Sequence, residues 1–388
     1  MRAEPMRDLL KKSRRVLLVA VVLGSCPALP LRAAEASCAA PAAIDDGWER
    51  ADPQASGFDA NALCDALRDA AKGEINIHAI VVERHGRLVA ELYRRGKDKP
   101  MSSLFAREVE FGPTDLHDMR SISKSVVSLL VGVAIGQGRI AGVATPVLDF
   151  YPRDNDLRTP ARAAITIEHL LTMSSGLAWK EEVTTYGTSA NDETHLFWAW
   201  RPYRYVLDRA MDASPGERFN YSGGDNTLLA DILTRATGKD LRELARTELF
   251  EPLGIESWEW VGDIYGRPVS FAGLRLRPRD LAKIGRMVLD HGQWRGRQVV
   301  PAGWVAASLA EHIPTGDGRQ YGYQWWVGRA EWRGKVIAWS GAIGNGGQRL
   351  YVLPELDMAV VITAGEYNSP DIGQKLGRLM ARIAAAVQ

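Results

Sequence analysis

The chain has 388 residues, 46% of them hydrophobic and 24% charged, which supplies a full core and is too polar overall for a multispanning membrane protein. Its 48 basic and 47 acidic residues cancel to a formal +1, so no bulk field recruits nucleic acid or an anionic surface, and partners must be recognised locally. Disorder, collagen-like repeats and small disulfide scaffolds are excluded by the same figures.

Arg14 and Arg15 precede an unbroken apolar run, Val16 to Leu23, which closes at Gly24, Ser25 and Pro27 and gives way to small residues up to Ala36. That layout is an export signal over residues 1–36, with Ala34-Glu35-Ala36 as a small-x-small cleavage point. Eight apolar residues fall short of the ~20 that cross a hydrocarbon layer, so no stable membrane span is expected. Leu23-Gly24-Ser25-Cys26 resembles a lipoprotein cleavage site, and processing there would leave a lipid anchor on Cys26; Ser13-Arg14-Arg15 is a loose twin-arginine pattern. The expected location is periplasmic or secreted. Loss of residues 1–36 removes seven basic and three acidic groups and leaves a formal −3. Cys38 and Cys64 then remain, and an oxidising compartment makes them a disulfide worth about 3–4 kcal/mol by loop entropy. No metal-ligand spacing occurs along the chain, and neither metal nor cofactor is expected.

The first helix is predicted over Asp59 to Lys72. Residues Ile75 to Val82 and Arg87 to Tyr93 alternate and are β-branched around a His85-Gly86 turn, a hairpin. Helical periods follow at Ser121 to Ile135, Ile167 to Met173, Asn226 to Ala236, Leu241 to Phe250 and Arg279 to Asp290, the last behind Pro278. Strands return at Tyr321 to Val327, Lys335 to Trp339, Gln348 to Leu353 and Met358 to Thr363, before an amphipathic helix over Asp371 to Val387. The economical arrangement is an α/β (α+β) fold. An antiparallel sheet built from both chain ends (residues 37–120 and 321–388) is flanked by helices, and a mainly helical domain, residues 121–320, is inserted between them. No internal repeat is seen.

Chemistry begins at Ser121-Ile122-Ser123-Lys124. The stretch after it, Ser125 to Ile135, is almost wholly apolar and describes a helix buried on all sides with Ser121 at its head. A Lys three residues past the Ser lies one turn along on the same face, within reach of the hydroxyl. Desolvation would depress the amine from its ordinary ~10.4 and make it a base. Ser-x-x-Lys alone carries little, because about 0.6 such matches arise by chance among eleven lysines. Two further clusters add weight: Phe219-Asn220-Tyr221-Ser222-Gly223 in a Gly-rich turn, and Trp339-Ser340-Gly341 at a strand end.

With these three motifs the chain resembles the serine β-lactamase and penicillin-binding superfamily, in its class C-type branch with family VIII carboxylesterases and 6-aminohexanoate-oligomer hydrolases. Further similar phrases are His169 to Gly176, Leu274 to Gly285 and Tyr321 to Trp326, so the likeness spans roughly residues 48–385. The resemblance implies a β-lactamase-like fold, Ser121 as acylated nucleophile, and Lys124 with Tyr221 as the pair that takes and returns its proton. It also implies an oxyanion hole from the N–H groups of Ser121 and Ala342, with Asn345 in the Gly-rich run 343–347 as the alternative. Tyr221 could serve as base only if a neighbouring cation favours its phenolate, and Lys124 is the candidate.

Two departures bear on substrate. Trp339 stands where β-lactamases carry a Lys that receives a carboxylate, and Gly223 stands where class C enzymes carry Asn. Both point to an ester or neutral amide as the small-molecule partner, bound along Trp339, Ser340, Gly341, Gly223 and Trp326. Trp198, Trp200, Trp325, Trp326 and Trp339 are candidates for an apolar acyl wall or for core aromatics. A β-lactamase or DD-peptidase activity and a non-catalytic binding cleft are the alternatives. The other titratable groups read as structural: His169 packs or caps its helix, Glu181 and Glu182 form a solvated face, and Asp225 caps the helix after Tyr221.

Overall fold

The structure is a computed structural model that describes residues 41–73 and 75–388. The proposed export signal, Cys26 and Cys38 lie outside the described residues, so of the cysteine pair only Cys64 is placed, buried on the first helix. Among the described residues no helix is long and apolar enough to cross a membrane.

Both chain ends build one nine-stranded sheet. Its strands are β1 (Glu49–Arg50), β2 (Ile77–Arg84), β3 (Arg87–Tyr93), β4 (Ile313–Pro314), β5 (Gln320–Tyr321), β6 (Trp326–Trp332), β7 (Lys335–Gly344), β8 (Gln348–Leu353) and β9 (Met358–Ala364). They lie in the order β1-β3-β2-β9-β8-β7-β6-β5-β4, antiparallel throughout except for β1 against β3. The N-terminal hairpin joins the C-terminal strands through β2 and β9, with Val82 opposite Val360. His85 (φ 55°) and Gly86 (φ 76°) make the tight turn that the sequence placed there.

The sheet is covered on both faces, which explains why its central strands are apolar on both sides. One face carries α1 (Ala60–Lys72) and α5 (Ile372–Ala385), packed on Ile80, Tyr351, Leu353 and Ile362. The other carries α2 (Ile122–Gly136) and α4 (Pro278–Leu289), packed on Val81, Ala342, Leu350 and Val361. Thirteen residues of α2 are buried, as its unbroken apolar run requires, and α3 (Gly223–Thr237) crosses beside it. Alternation along β7 therefore assigns Ser340, Ala342 and Gly344 to the α2 face and Trp339, Gly341 and Ile343 to the α5 face.

Three expectations change. The single strand Tyr321 to Val327 is two, because the chain turns at Gly322–Trp325, with Gln324 at φ 64° and its amide bonded to Leu171 O at 3.0 Å. Gly322 permits the turn, since a Cβ there would lie 2.0 Å from Ser308 O. The strand expected to stop at Trp339 runs to Gly344, which leaves only Asn345–Gly347 as a turn. Asp225 is not a cap: Ser222 is, accepting from the Asp225 amide at 3.0 Å, while the Asp225 side chain is buried and accepts from Ser175 Oγ at 2.8 Å. His169 completes a capping box with Thr166, as read from the sequence.

Candidate active site

Ser121 sits at the head of α2, directly after Arg120, whose φ of 51° is a left-handed conformation that costs energy for a side chain of this size. The surroundings hold it there. Arg120 donates to Lys99 O at 2.7 Å and lies 4.5 Å over the Tyr367 ring, and His117–Asp118 pairs with Leu276–Arg275. The turn into the helix thus points the hydroxyl out of the helix head.

One turn along, the Lys124 ammonium is 1% exposed and donates to Ser121 Oγ at 3.1 Å and to Phe271 O at 3.2 Å. It is not surrounded by hydrocarbon alone. Glu193 Oε2 stands 3.5 Å away and Glu181 Oε1 3.6 Å away, both carboxylates buried. This overturns the reading of Glu181 as part of a solvated face: only Glu182 is exposed. Glu181 is fixed by Gly223 N at 2.6 Å, Trp179 Nε1 at 2.8 Å and Tyr186 OH at 3.3 Å. A Cβ on Gly223 would meet Glu193 Oε2 at 3.1 Å and Glu181 Oε2 at 3.2 Å. Burial, then the charge of Glu181, pushes the Glu193 carboxyl well above the ordinary carboxylate range.

Tyr221 brings its ring within 4.7 Å of Lys124 Nζ and stacks on Trp326 with centroids 5.7 Å apart. Burial and the negative charge of Glu181 push its phenol well above 10, against the opposing pull of a hydrogen bond with Ser121. Burial comes first in that shift and the nearby acids second, so the surroundings oppose the resting phenolate that Lys124 was expected to favour. Tyr221 rests neutral.

On the third side, β7 overruns its neighbour. Its pairing with β6 ends at Trp326–Gly341, whereas its pairing with β8 continues to Gly344–Gln348, so Ala342 to Gly344 form a bare strand edge. A Cβ on Gly344 would lie 2.4 Å from Met119 O, which sets that edge against the backbone just before Ser121. Asn345 lies beyond it in the turn, its side chain bonded to Asn368 at 3.0 Å. Trp339 is half-buried against Gly328 and Tyr351, and Ser340 and Gly341 are buried in the ladder. Trp325 is core, whereas Trp198 and Trp200 are 64% and 69% exposed. Trp200 edges a separate apolar cavity of about 320 Å³ that shares only Phe271 with the contacts of Lys124.

The β-lactamase family profile matches residues 68–385. This chain belongs to the β-lactamase family. Among curated relatives it is similar to the 6-aminohexanoate-dimer hydrolase of Paenarthrobacter ureafaciens, 30% identical over 320 residues, 76% of this chain and 73% of that one. It is also similar to esterase EstB of Burkholderia gladioli, 30% identical over 238 residues, 57% of each. A penicillin-binding protein homologue from Caulobacter crescentus shares the fold at TM-score 0.65 and 17% identity, covering 84% of this chain and 97% of that one. The protein is a serine hydrolase of this family, with the large, mainly antiparallel sheet flanked by helices that the family fold has.

Besides the misassigned Glu181, Glu193 and one further cluster carry no signal in the sequence. His78, Asp98 and His117 come together buried, with candidate ligand atoms within 4.8 Å of one another, although no spacing along the chain links them. The imidazoles already share a hydrogen bond of 2.8 Å, His117 Nδ1 faces Asp118 O at 3.0 Å, and Tyr367 donates to Asp98 at 2.6 Å. Burial lowers both imidazoles, His78 to about 4.

Proposed function

We propose that this β-lactamase-family hydrolase cleaves an ester or neutral amide through an acyl-enzyme on Ser121, after export to the periplasm or the cell exterior. The observation that carries the reading is the buried Lys124 Nζ, 3.1 Å from Ser121 Oγ and backed by two carboxylates. Attack by Ser121 requires loss of its proton. Lys124 receives it once its own proton has moved onto the neighbouring Glu193, whose carboxyl burial makes ready to take one up. Tyr221, neutral at rest, donates to the leaving group and is reprotonated through Lys124. The amides of Ser121 and Ala342 stabilise the oxyanion; the bare edge of β7 favours Ala342 over Asn345, since a ladder-free amide is available to substrate.

Trp339 in place of a cation supports a neutral group beside the third motif, and the named activities of the two relatives, a dimer hydrolase and an esterase, agree with this class. Ser121→Ala is expected to abolish hydrolysis of a short-chain p-nitrophenyl ester and labelling by a fluorophosphonate. Turnover at the native rate would refute the reading. Comparison of esters, linear amides and nitrocefin ranks the substrate classes. Sequencing the N-terminus of secreted material tests cleavage after Ala36.

A further inference from the structure

Three segments remote in sequence meet at His78 on β2, Asp98 at the end of the strand Arg95–Asp98 and His117 in the short strand His117–Asp118. All three side chains are buried, His78 completely. The protons of the two imidazoles do not add up. A neutral imidazole carries one N–H. His117 Nδ1 lies 3.0 Å from Asp118 O, an acceptor, so the His117 proton belongs there and Nε2 is bare. His78 Nδ1, 2.8 Å from that bare nitrogen, must then donate to it, which leaves His78 Nε2 buried as a lone pair without a donor. Moving the proton to Nε2, where it could reach Lys97 O, instead sets two lone pairs against each other across 2.8 Å. Either arrangement lacks a cation between the rings. Asp98 lacks one too: buried, it accepts from Tyr367 OH at 2.6 Å, and among the described residues no Lys or Arg forms an ion pair with it. An unpaired buried carboxylate is costly.

A divalent ion removes both faults. Held by His78 Nδ1, His117 Nε2 and Asp98, it meets the two inner lone pairs and the carboxylate charge, while the outer N–H groups donate to Lys97 O and Asp118 O. Backing of this kind by carbonyls is the usual outer support of a metal-bound imidazole. The candidate ligand atoms lie within 4.8 Å of one another. Tetrahedral zinc, with bonds of about 2.0–2.1 Å, sets two nitrogens about 3.4 Å apart, so small ring rotations admit it. The slot is built around His78: a Cβ on Gly96 would stand 2.6 Å from its Cδ2 and one on Gly365 2.9 Å from its Cε1, and Phe111 stacks on the ring at 4.3 Å. We infer that His78, Asp98 and His117 form a structural site for one zinc-type ion, which clips β2 and the strand Arg95–Asp98 to the segment that leads into Ser121. Two imidazoles with one carboxylate favour such an ion over magnesium or calcium. The inference uses no residue of the proton machinery, so it stands or falls apart from the catalytic reading.

The test is titration of chelator-stripped protein with zinc chloride against a chromogenic competitor, with magnesium chloride as control. Native protein is expected to bind one equivalent of zinc with a Kd of about 1 μM or tighter and to gain at least about 3 °C in thermal midpoint, and magnesium to do neither. His78→Gln and Asp98→Asn should each weaken zinc binding at least tenfold. Absence of binding at a hundredfold that concentration would overturn the inference and leave a shared proton between the rings. Undiminished affinity in His78→Gln would overturn it as well, by placing the ion elsewhere. Should the variants fail to fold, X-ray absorption of zinc-loaded native protein decides alone: two imidazoles with oxygen are expected, and a sulfur ligand or fewer than two imidazoles would refute the site.

Discussion

Replacing Glu181 by Gln isolates what the carboxylate pair does for Lys124. Glu181 Oε2 accepts from Gly223 N and Trp179 Nε1, so the Gln carbonyl takes that position and the new NH2 group faces Lys124. Shape and two hydrogen bonds survive, and one charge disappears. At 3.6 Å and an effective dielectric near 20, that charge is worth about 4–5 kcal/mol to the ammonium, of which roughly half is assigned to the transition state because the ground state loses part of it too. The expected cost is about 2–3 kcal/mol in kcat/KM for a p-nitrophenyl ester, roughly 30- to 150-fold. The pH profile supplies an independent readout. The Glu181 charge raises the Tyr221 phenol, so its removal should bring the alkaline limb to lower pH. A variant with native kcat/KM and an unmoved alkaline limb would refute the assignment of Glu181 to the proton machinery.

Gly223→Ala should press a methyl group against both carboxylates and lower kcat/KM about tenfold, with little change in thermal midpoint because Ala suits a helix start; an unaltered rate would show that the crowding is harmless. Asp225 is held neutral when folded, its carboxyl pushed up to about 8 by burial, and Oδ2 has no partner. Its contribution to stability is complete below about pH 4 and is lost as pH rises through 8. Urea midpoints between pH 7 and 9, above the range where His78 gains a proton in the unfolded chain, should fall for the native protein and stay flatter for Asp225→Asn. Gly132→Ala places a Cβ 2.1 Å from the Trp304 ring and should cost about 1–3 kcal/mol in chemical denaturation, with activity per folded molecule preserved.

Ser121, Lys124 and Tyr221 were legible because each lies in a short motif whose local chemistry is unusual: a polar pair at the head of an apolar helix, and a phenol in a Gly-rich turn. Glu181 and Glu193 carried no such mark. Lys180-Glu181-Glu182 reads as a wet surface, and only the fold turns one of two adjacent acids inward, onto the Gly223 amide and the Trp179 indole. His78, Asp98 and His117 were invisible for a related reason, since strand pairing rather than chain spacing unites them. Strand ends were misjudged where tertiary contacts decide them. The break at Gly322–Trp325 is held by Leu171 and Ser125 across the molecule, and nothing within the segment itself announces it.

The pairing of β2 with β9 ties a hairpin near the start of the chain to a strand that ends at Ala364. During synthesis the early hairpin must wait, its inner edge bare, until nearly all of the polypeptide has left the ribosome. Such distant partnering slows folding and prolongs the exposure of an aggregation-prone edge. Tyr367, which braces the arginine ahead of the reactive alcohol, emerges later still, so truncation near the C-terminus would silence the enzyme although every motif upstream remained.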